Sequence, residues 1–274
     1  MKRAFIFSLV LALCSFPGRG ASLYEQSVQK AVNQRFRSPD ISYLLMDAQT
    51  KNIIAFRWPD SSRPVPPGSL LKPFVALAYS EGHDFKYPVF DCRGSIDGCW
   101  YPPGHGRIGI TQAIEYSCNA YFLKLAQRVS PRNMRAVAEQ LGISATPGTF
   151  RPAALIGLGG LWRITPRQLA TAYLNLVAQA DGPGEPPLIR GMALSAEAGT
   201  TKAVDRALGG RAALAKSGTA PCIHSRHAPG DGYVMVLYPA ESPKLLLLVC
   251  VHGVPGAKAA ATAGQILRIA VDGP

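Results

Sequence analysis

Strand-forming sequence lies at both ends of this chain and is almost absent between them. Residues 41–58, ISYLLMDAQTKNIIAFRW, are two apolar runs around the polar turn DAQTKN, which is the pattern of a β-hairpin. Strand patterns return only at 212–217, 232–238 and 245–251, where YPAESPK turns the last two. The interval carries helix signals at 69–80, 111–115, 120–128, 134–141 and 165–178. Ser130-Pro131 and Thr165-Pro166 each read as an N-cap followed by a first-turn proline. A short helix at 25–37 precedes the hairpin, Pro and Gly mark a surface loop at 181–187, and a helix at 259–271 closes the chain. A hairpin and a meander pair locally while a helical insert bridges them. The expected fold is therefore α+β: a single antiparallel sheet of about five strands, N-terminal hairpin plus C-terminal strands, covered by helices, all in one domain over residues 21–274.

The first twenty residues stand apart. Lys2 and Arg3, an apolar run over 4–16 and small residues at Gly18, Gly20 and Ala21 are the three parts of a secretory signal peptide cut near Gly20 or Ala21. The run is shorter than the roughly 20 residues that span a bilayer, and an uncleaved anchor on the outer face of the membrane is the alternative. Export, to the periplasm or another extracytoplasmic space, is the expected destination. The formal charge of +12 falls to about +9 once Lys2, Arg3 and Arg19 leave. Basic residues are scattered and not interleaved with aromatics, so no nucleic-acid partner is expected. Of six cysteines, Cys14 lies in the signal; Cys92, Cys99, Cys118, Cys222 and Cys250 remain. An exporting compartment permits disulfides. Cys92 and Cys99, bracketing RGSIDG, are the expected pair, and the odd count leaves a free thiol, assigned to Cys118. Cys222, His224 and His227 in PCIHSRH lack a fourth ligand, so no metal and no cofactor is expected.

Three short motifs carry chemistry. Ser69 and Lys72, in PPGSLLKPF, sit one turn apart on one face where a Pro-Gly turn enters a helix. A serine hydroxyl needs a base to become a nucleophile, and a lysine serves if burial or nearby cations lower its pKa. The spacing alone means little, because Ser27-Val28-Gln29-Lys30 repeats it on a helix expected to be exposed. Ser117-Cys118-Asn119 places a hydroxyl and an amide on a short connector between helices, although an N-cap explains such residues equally well. Lys216-Ser217-Gly218-Thr219 ends an apolar strand. Its cation, hydroxyls and accessible edge suit a carboxylate-bearing peptide that adds beside the strand, and a solvated strand end is the plainer explanation.

The three motifs together, in that order, resemble the Ser-x-x-Lys, Ser-x-Asn and Lys-Thr-Gly set of the penicillin-binding protein transpeptidase domain and class A β-lactamases. The resemblance runs from about residue 41 to the C-terminus through PGSLLKPFVALA, GHGRIGITQAIEYSCNAYF, ITPRQLATAYLNLV and LAKSGTAP. It implies that Ser69 attacks the carbonyl, Lys72 takes its proton, Ser117 relays a proton to the leaving amine, and Asn119 holds Lys72 and the substrate amide. Lys216 would keep the potential positive, Ser217 and Thr219 would bind the substrate carboxylate beside Gly218, and the N–H groups of Ser69 and Thr219 would form the oxyanion hole. The implied substrates are peptidoglycan stem peptides and β-lactams, with an envelope protein as a possible partner. Ser217 stands where the family usually has threonine, which keeps the hydroxyl. His105 is read as structural, and Cys118 as a buried thiol packing like a small apolar group. A β-lactamase, or a non-catalytic β-lactam sensor or scaffold, remains an alternative. No Glu-x-x-x-Asn segment of the class A kind lies between Asn119 and Lys216.

Overall fold

In the computed structural model, residues 22–145, 147–222 and 230–273 are described; the expected signal at 1–20 and the histidines of PCIHSRH lie outside them. Helix α1 (Leu23–Arg35) precedes the hairpin β1 (Ile41–Asp47) and β2 (Ile53–Arg57). A 3-10 turn (Gly68–Leu71) then runs into α2 (Lys72–Ser80), followed by β3 (Phe90–Cys92) and β4 (Gly106–Ile108). The helical block is α3 (Ile110–Glu115), α4 (Asn119–Ala126), α5 (Pro131–Gln140), α6 (Pro152–Leu155), α7 (Pro166–Ala178), α8 (Pro186–Glu197) and α9 (Ala203–Leu208). Strands β5 (Leu214–Ala220), β6 (Asp231–Tyr238) and β7 (Leu245–Val251) and helix α10 (Gly256–Asp272) complete the chain.

The main sheet has five antiparallel strands in the order β2-β1-β7-β6-β5, so the two ends of the chain meet where β1 pairs with β7. Leu44 faces Leu248 and Leu45 faces Leu247 in that register. Side chains alternate across a strand, which explains why these strands read as unbroken apolar runs. Leu44, Met46, Met235, Leu246 and Leu248 bury against the helical block, whereas Tyr43, Leu45, Val234, Val236, Leu247 and Val249 bury against α1 and α10. A sheet covered on both faces shows no polar alternation. On α10, Ala259, Ala260 and Ala263 let the helix lie close to the strands.

The expected caps are present: the Ser130 hydroxyl accepts from the Asn133 N–H, and Thr165 with Gln168 forms a capping box. Five elements were not expected. The small sheet β3-β4 is three residues per strand, too short for a period-2 pattern. Helices α6 and α9 span only four and six residues. In α8 the Pro-Pro start and the mid-helix Gly191 hide the helical pattern, yet a Cβ at Gly191 would come within 2.7 Å of Ile114, so its absence is what lets α8 pack on α3. Among the described residues, no helix is long and apolar enough to cross a membrane.

Candidate active site

The 3-10 turn sets the first pair of side chains. Side chains at i and i+3 eclipse in such a turn, and the Lys72 N–H donates to the Ser69 carbonyl, which binds the two residues into one turn. Gly68 has φ +59°, a conformation that L side chains rarely adopt, and a Cβ there would lie 2.4 Å from the Thr219 carbonyl oxygen. Gly218 makes the reciprocal approach, its missing Cβ 2.5 Å from the Pro67 carbonyl oxygen. The backbone before Ser69 therefore rests directly on the end of β5. From the other side, the Tyr173 hydroxyl donates to the Leu70 carbonyl at 2.8 Å, and its ring packs edge-on to Phe74 at 5.3 Å. Such a pair is worth about 0.5–1.5 kcal/mol beyond its buried area.

The second motif owes its position to a helix end. Helix α3 stops in a Schellman motif: the Cys118 N–H donates to the Ala113 carbonyl at 3.0 Å and the Ser117 N–H to the Ile114 carbonyl at 3.2 Å. Ser117 occupies the left-handed position with φ +51°, where glycine is usual. A non-glycine residue held there stores of order 1–3 kcal/mol and points to a functional constraint. The cap of α4 is neither Ser117 nor Asn119: the Cys118 sulfur accepts from the Tyr121 N–H at 3.5 Å. That leaves the Ser117 hydroxyl and the Asn119 amide free to face Lys72.

They do face it. The Lys72 ammonium, fully buried, donates to the Ser117 carbonyl at 2.6 Å, to Asn119 Oδ1 at 2.7 Å and to Ser117 Oγ at 3.3 Å. Lys216, also fully buried, donates to Ser117 Oγ at 2.8 Å and to the Ser217 carbonyl at 2.7 Å. Among the described residues, no carboxylate pairs with either ammonium. Burial disfavours the charged form. It lowers Lys72 to about 7, and burial with the Lys72 charge lowers Lys216 well below the usual lysine range. Both lysines reach the same Oγ, which places the Ser117 hydroxyl between the two amines.

The structure brings together Lys72, Ser117, Asn119 and Lys216 by direct hydrogen bonds, and sets the Ser69 turn against Gly218 and Thr219 by backbone contact. It shows no hydrogen bond between Lys72 and Ser69; the two share a turn and a face only. Strand β5 lies at an edge of the sheet, Thr219 is exposed, and its hydroxyl accepts from the Gly256 N–H at 3.0 Å. The Ser217 hydroxyl donates to Thr200 Oγ1 at 2.7 Å, and Thr200 continues to Ser195 at 3.3 Å. Ser27 and Lys30, the second copy of the motif, are both exposed on α1.

Two neighbours escaped the sequence reading. Thr200 follows α8, whose pattern was hidden. Trp100, half exposed, donates from Nε1 to the carbonyls of Tyr116 at 3.1 Å and Ser117 at 3.2 Å, and so forms an aromatic lip beside Ser117. Its place next to Cys99 was visible, but nothing in the sequence shows that its indole reaches residue 117. The expected Cys92–Cys99 disulfide is absent: among the described residues all five cysteines are free thiols. Both sulfurs turn towards His105, each 3.5 Å from Nδ1, and Cys99 Sγ lies 3.8 Å from Cys118 Sγ, well beyond the roughly 2.05 Å of a disulfide bond. Cys118 is buried as expected, but its sulfur faces these groups and a helix N-terminus and does not sit among apolar groups alone.

A serine one turn from a buried, acid-free lysine, met by a second lysine through a shared hydroxyl, defines a serine–lysine acyl-transfer centre on an α+β fold. The family model "Penicillin binding protein transpeptidase domain" matches residues 41–182, just over half of the chain, and the chain belongs to that family. Pseudomonas aeruginosa PBP2, solved in complex with WCK 5153, shares the fold with a TM-score of 0.73 at 17% identity over 90% of this chain and 73% of that one. PBPA from Mycobacterium tuberculosis gives 0.71 at 17% over 91% and 79%. The transpeptidase domain of the FtsI4 D,D-transpeptidase from Legionella pneumophila gives 0.66 at 19% over 92% and 97%. No curated relative matches the chain by sequence.

Proposed function

We propose that this chain is an exported serine acyltransferase of peptidoglycan maturation, a D,D-transpeptidase or D,D-carboxypeptidase that penicillins acylate at Ser69. Neutral Lys72 accepts the Ser69 proton as the hydroxyl attacks the penultimate D-Ala carbonyl of a stem peptide. The oxyanion is held by the N–H groups of Ser69 and Thr219, a donor pair whose loss costs roughly a hundredfold or more. Ser117 passes a proton to the leaving D-Ala amine, and Asn119 orients Lys72 and the substrate amide. With Lys72 neutral its repulsion on Lys216 is gone, so Lys216 carries the positive charge of the cleft, while Ser217 and Thr219 bind the terminal carboxylate as the peptide lies along the open edge of β5. An amine or a water then takes the acyl group. Residues 1–20 direct export, residues 21–274 form the acyltransferase domain, and an envelope protein is the partner that would bring it to its polymer substrate.

One observation carries the reading: two buried lysines from α2 and β5, remote in sequence, converge on the single hydroxyl of Ser117. Fluorescent penicillin is expected to label the purified protein covalently, and a D-Ala-D-Ala peptide to release D-Ala. Unlabelled wild-type protein refutes the assignment. Stable labelling without peptide turnover supports a sensor in its place, and rapid nitrocefin hydrolysis a β-lactamase.

A further inference from the structure

Beside the acyl-transfer centre lies a second cluster that the proposed chemistry does not use. The end of β3 contributes Cys92, the loop to β4 contributes Cys99 and His105, and the connector between α3 and α4 contributes Cys118. Their four ligand atoms lie within 4.8 Å of one another, and the three cysteines are at most 7% exposed. Zinc takes thiolates at about 2.3 Å and imidazole nitrogen at about 2.0–2.1 Å in a tetrahedron. Those lengths require S···S edges of about 3.8 Å and S···N edges of about 3.6 Å. The structure has Cys99 Sγ to Cys118 Sγ at 3.8 Å, and His105 Nδ1 to Cys92 Sγ and to Cys99 Sγ at 3.5 Å each. We infer that Cys92, Cys99, His105 and Cys118 form a closed tetrahedral zinc site that pins the Ser117–Asn119 segment to the β3-β4 loop.

The surroundings are built for such a role. His105 is clamped by a parallel stack on Tyr116 at 5.2 Å and by contacts with Trp100 and Tyr101, which aim Nδ1 at the sulfurs. Backbone N–H groups of Tyr101, Ala120 and Asn119 approach the Cys99 sulfur, the arrangement that stabilises a bound thiolate. The loop is folded tightly: a Cβ at Gly94 would fall 1.8 Å from the Pro102 carbonyl oxygen, and Asp97 is tied to Arg93 at 2.8 Å and to Lys124 at 3.1 Å. A soft donor set of three sulfurs and one nitrogen in tetrahedral arrangement selects zinc over hard cations. On binding, three thiols lose their protons, three Zn–S bonds form, and the His105 Nδ1 lone pair completes the shell while its proton sits on Nε2. No position is left for water, so the metal is structural. Cys118 lies between Ser117 and Asn119, and zinc there would hold both against Lys72 despite the left-handed strain at Ser117.

Elemental analysis of the protein purified without added metal is expected to find about one zinc per chain. Exchange for Co(II) is expected to give thiolate charge-transfer bands and the d–d pattern of a tetrahedral site. Cys99→Ser and His105→Ala lose the metal, whereas Cys222→Ser and Cys250→Ser retain it. Because a ligand variant can simply misfold, the wild-type chain supplies the second measurement: stripping with a chelator lowers Tm and slows penicillin labelling roughly tenfold or more, and zinc restores both. A protein that binds neither zinc nor Co(II) under reducing conditions overturns the site, and so does a Cys92–Cys99 or Cys99–Cys118 disulfide in the native mass spectrum. Bound zinc whose removal leaves labelling unchanged overturns the pinning role. Metal content is read without any acylation assay, so a failure of the proposed enzymatic function would not be mistaken for a failure of the metal site.

Discussion

The chain contains the same four-residue pattern twice, and only one copy has its lysine buried. On α1, Ser27 and Lys30 sit on the exposed face of a helix that buries Val28 and Val32. On α2, every residue from Lys72 to Ser80 is buried. Spacing puts the hydroxyl and the amine on one helix face in both cases. The difference lies in what surrounds the amine. A lysine in water stays protonated and cannot act as a base, whereas Lys72, buried with no carboxylate partner, is lowered to about 7 and can exchange a proton near neutrality. A motif is therefore a statement about reach, and burial turns reach into reactivity.

The sharpest way to break this comparison is at the two serines. Ser69→Ala is expected to abolish covalent penicillin labelling and Ser27→Ala to leave it unchanged, as read on a fluorescent gel. Equal loss in both would mean that labelling does not report the α2 site. At the lysines, Lys72→Arg keeps a positive charge but cannot lose its proton, and is expected to slow acylation by about 10²–10⁴. Lys30→Arg should match wild type, with circular dichroism confirming that both variants fold. The pH profile tests the same point without mutation. The proposed mechanism needs neutral Lys72, and a group with its pKa near 7 gains its proton as pH falls. The rate should therefore drop roughly tenfold per unit below pH 7 and level off above it. A flat profile from pH 5 to 8 would remove the lysine as base. The smallest effect concerns the turn itself. Gly68→Ala forces a side chain onto φ +59° and against the Thr219 carbonyl, and should destabilise the fold by about 1–3 kcal/mol in denaturant titration while displacing Ser69.

Reading the residues in order recovered the hairpin, the three C-terminal strands and most helices, because their periodicities and caps are local. It missed α8, where Gly191 interrupts the pattern but serves a packing contact with α3, and β3-β4, where three residues are too few to show alternation. The cysteines show the limit most clearly. Sequence proximity favours joining Cys92 to Cys99 across six residues, but the β3-β4 turn delivers His105 to both sulfurs, and the Schellman end of α3 brings up Cys118 from outside the loop.

What the sequence determined by itself was the main sheet strands, most of the helices and the inventory of reactive groups: short-range periodicity, capping and turn chemistry depend on neighbours along the chain. The tertiary structure decided which lysine is buried, which serine oxygen the two amines share, and that three thiols and an imidazole gather. Those are matters of dielectric and of distances between residues far apart in sequence, 45 and 99 positions for the two lysines and Ser117, set only when β1 pairs with β7 and the helical block closes over the sheet.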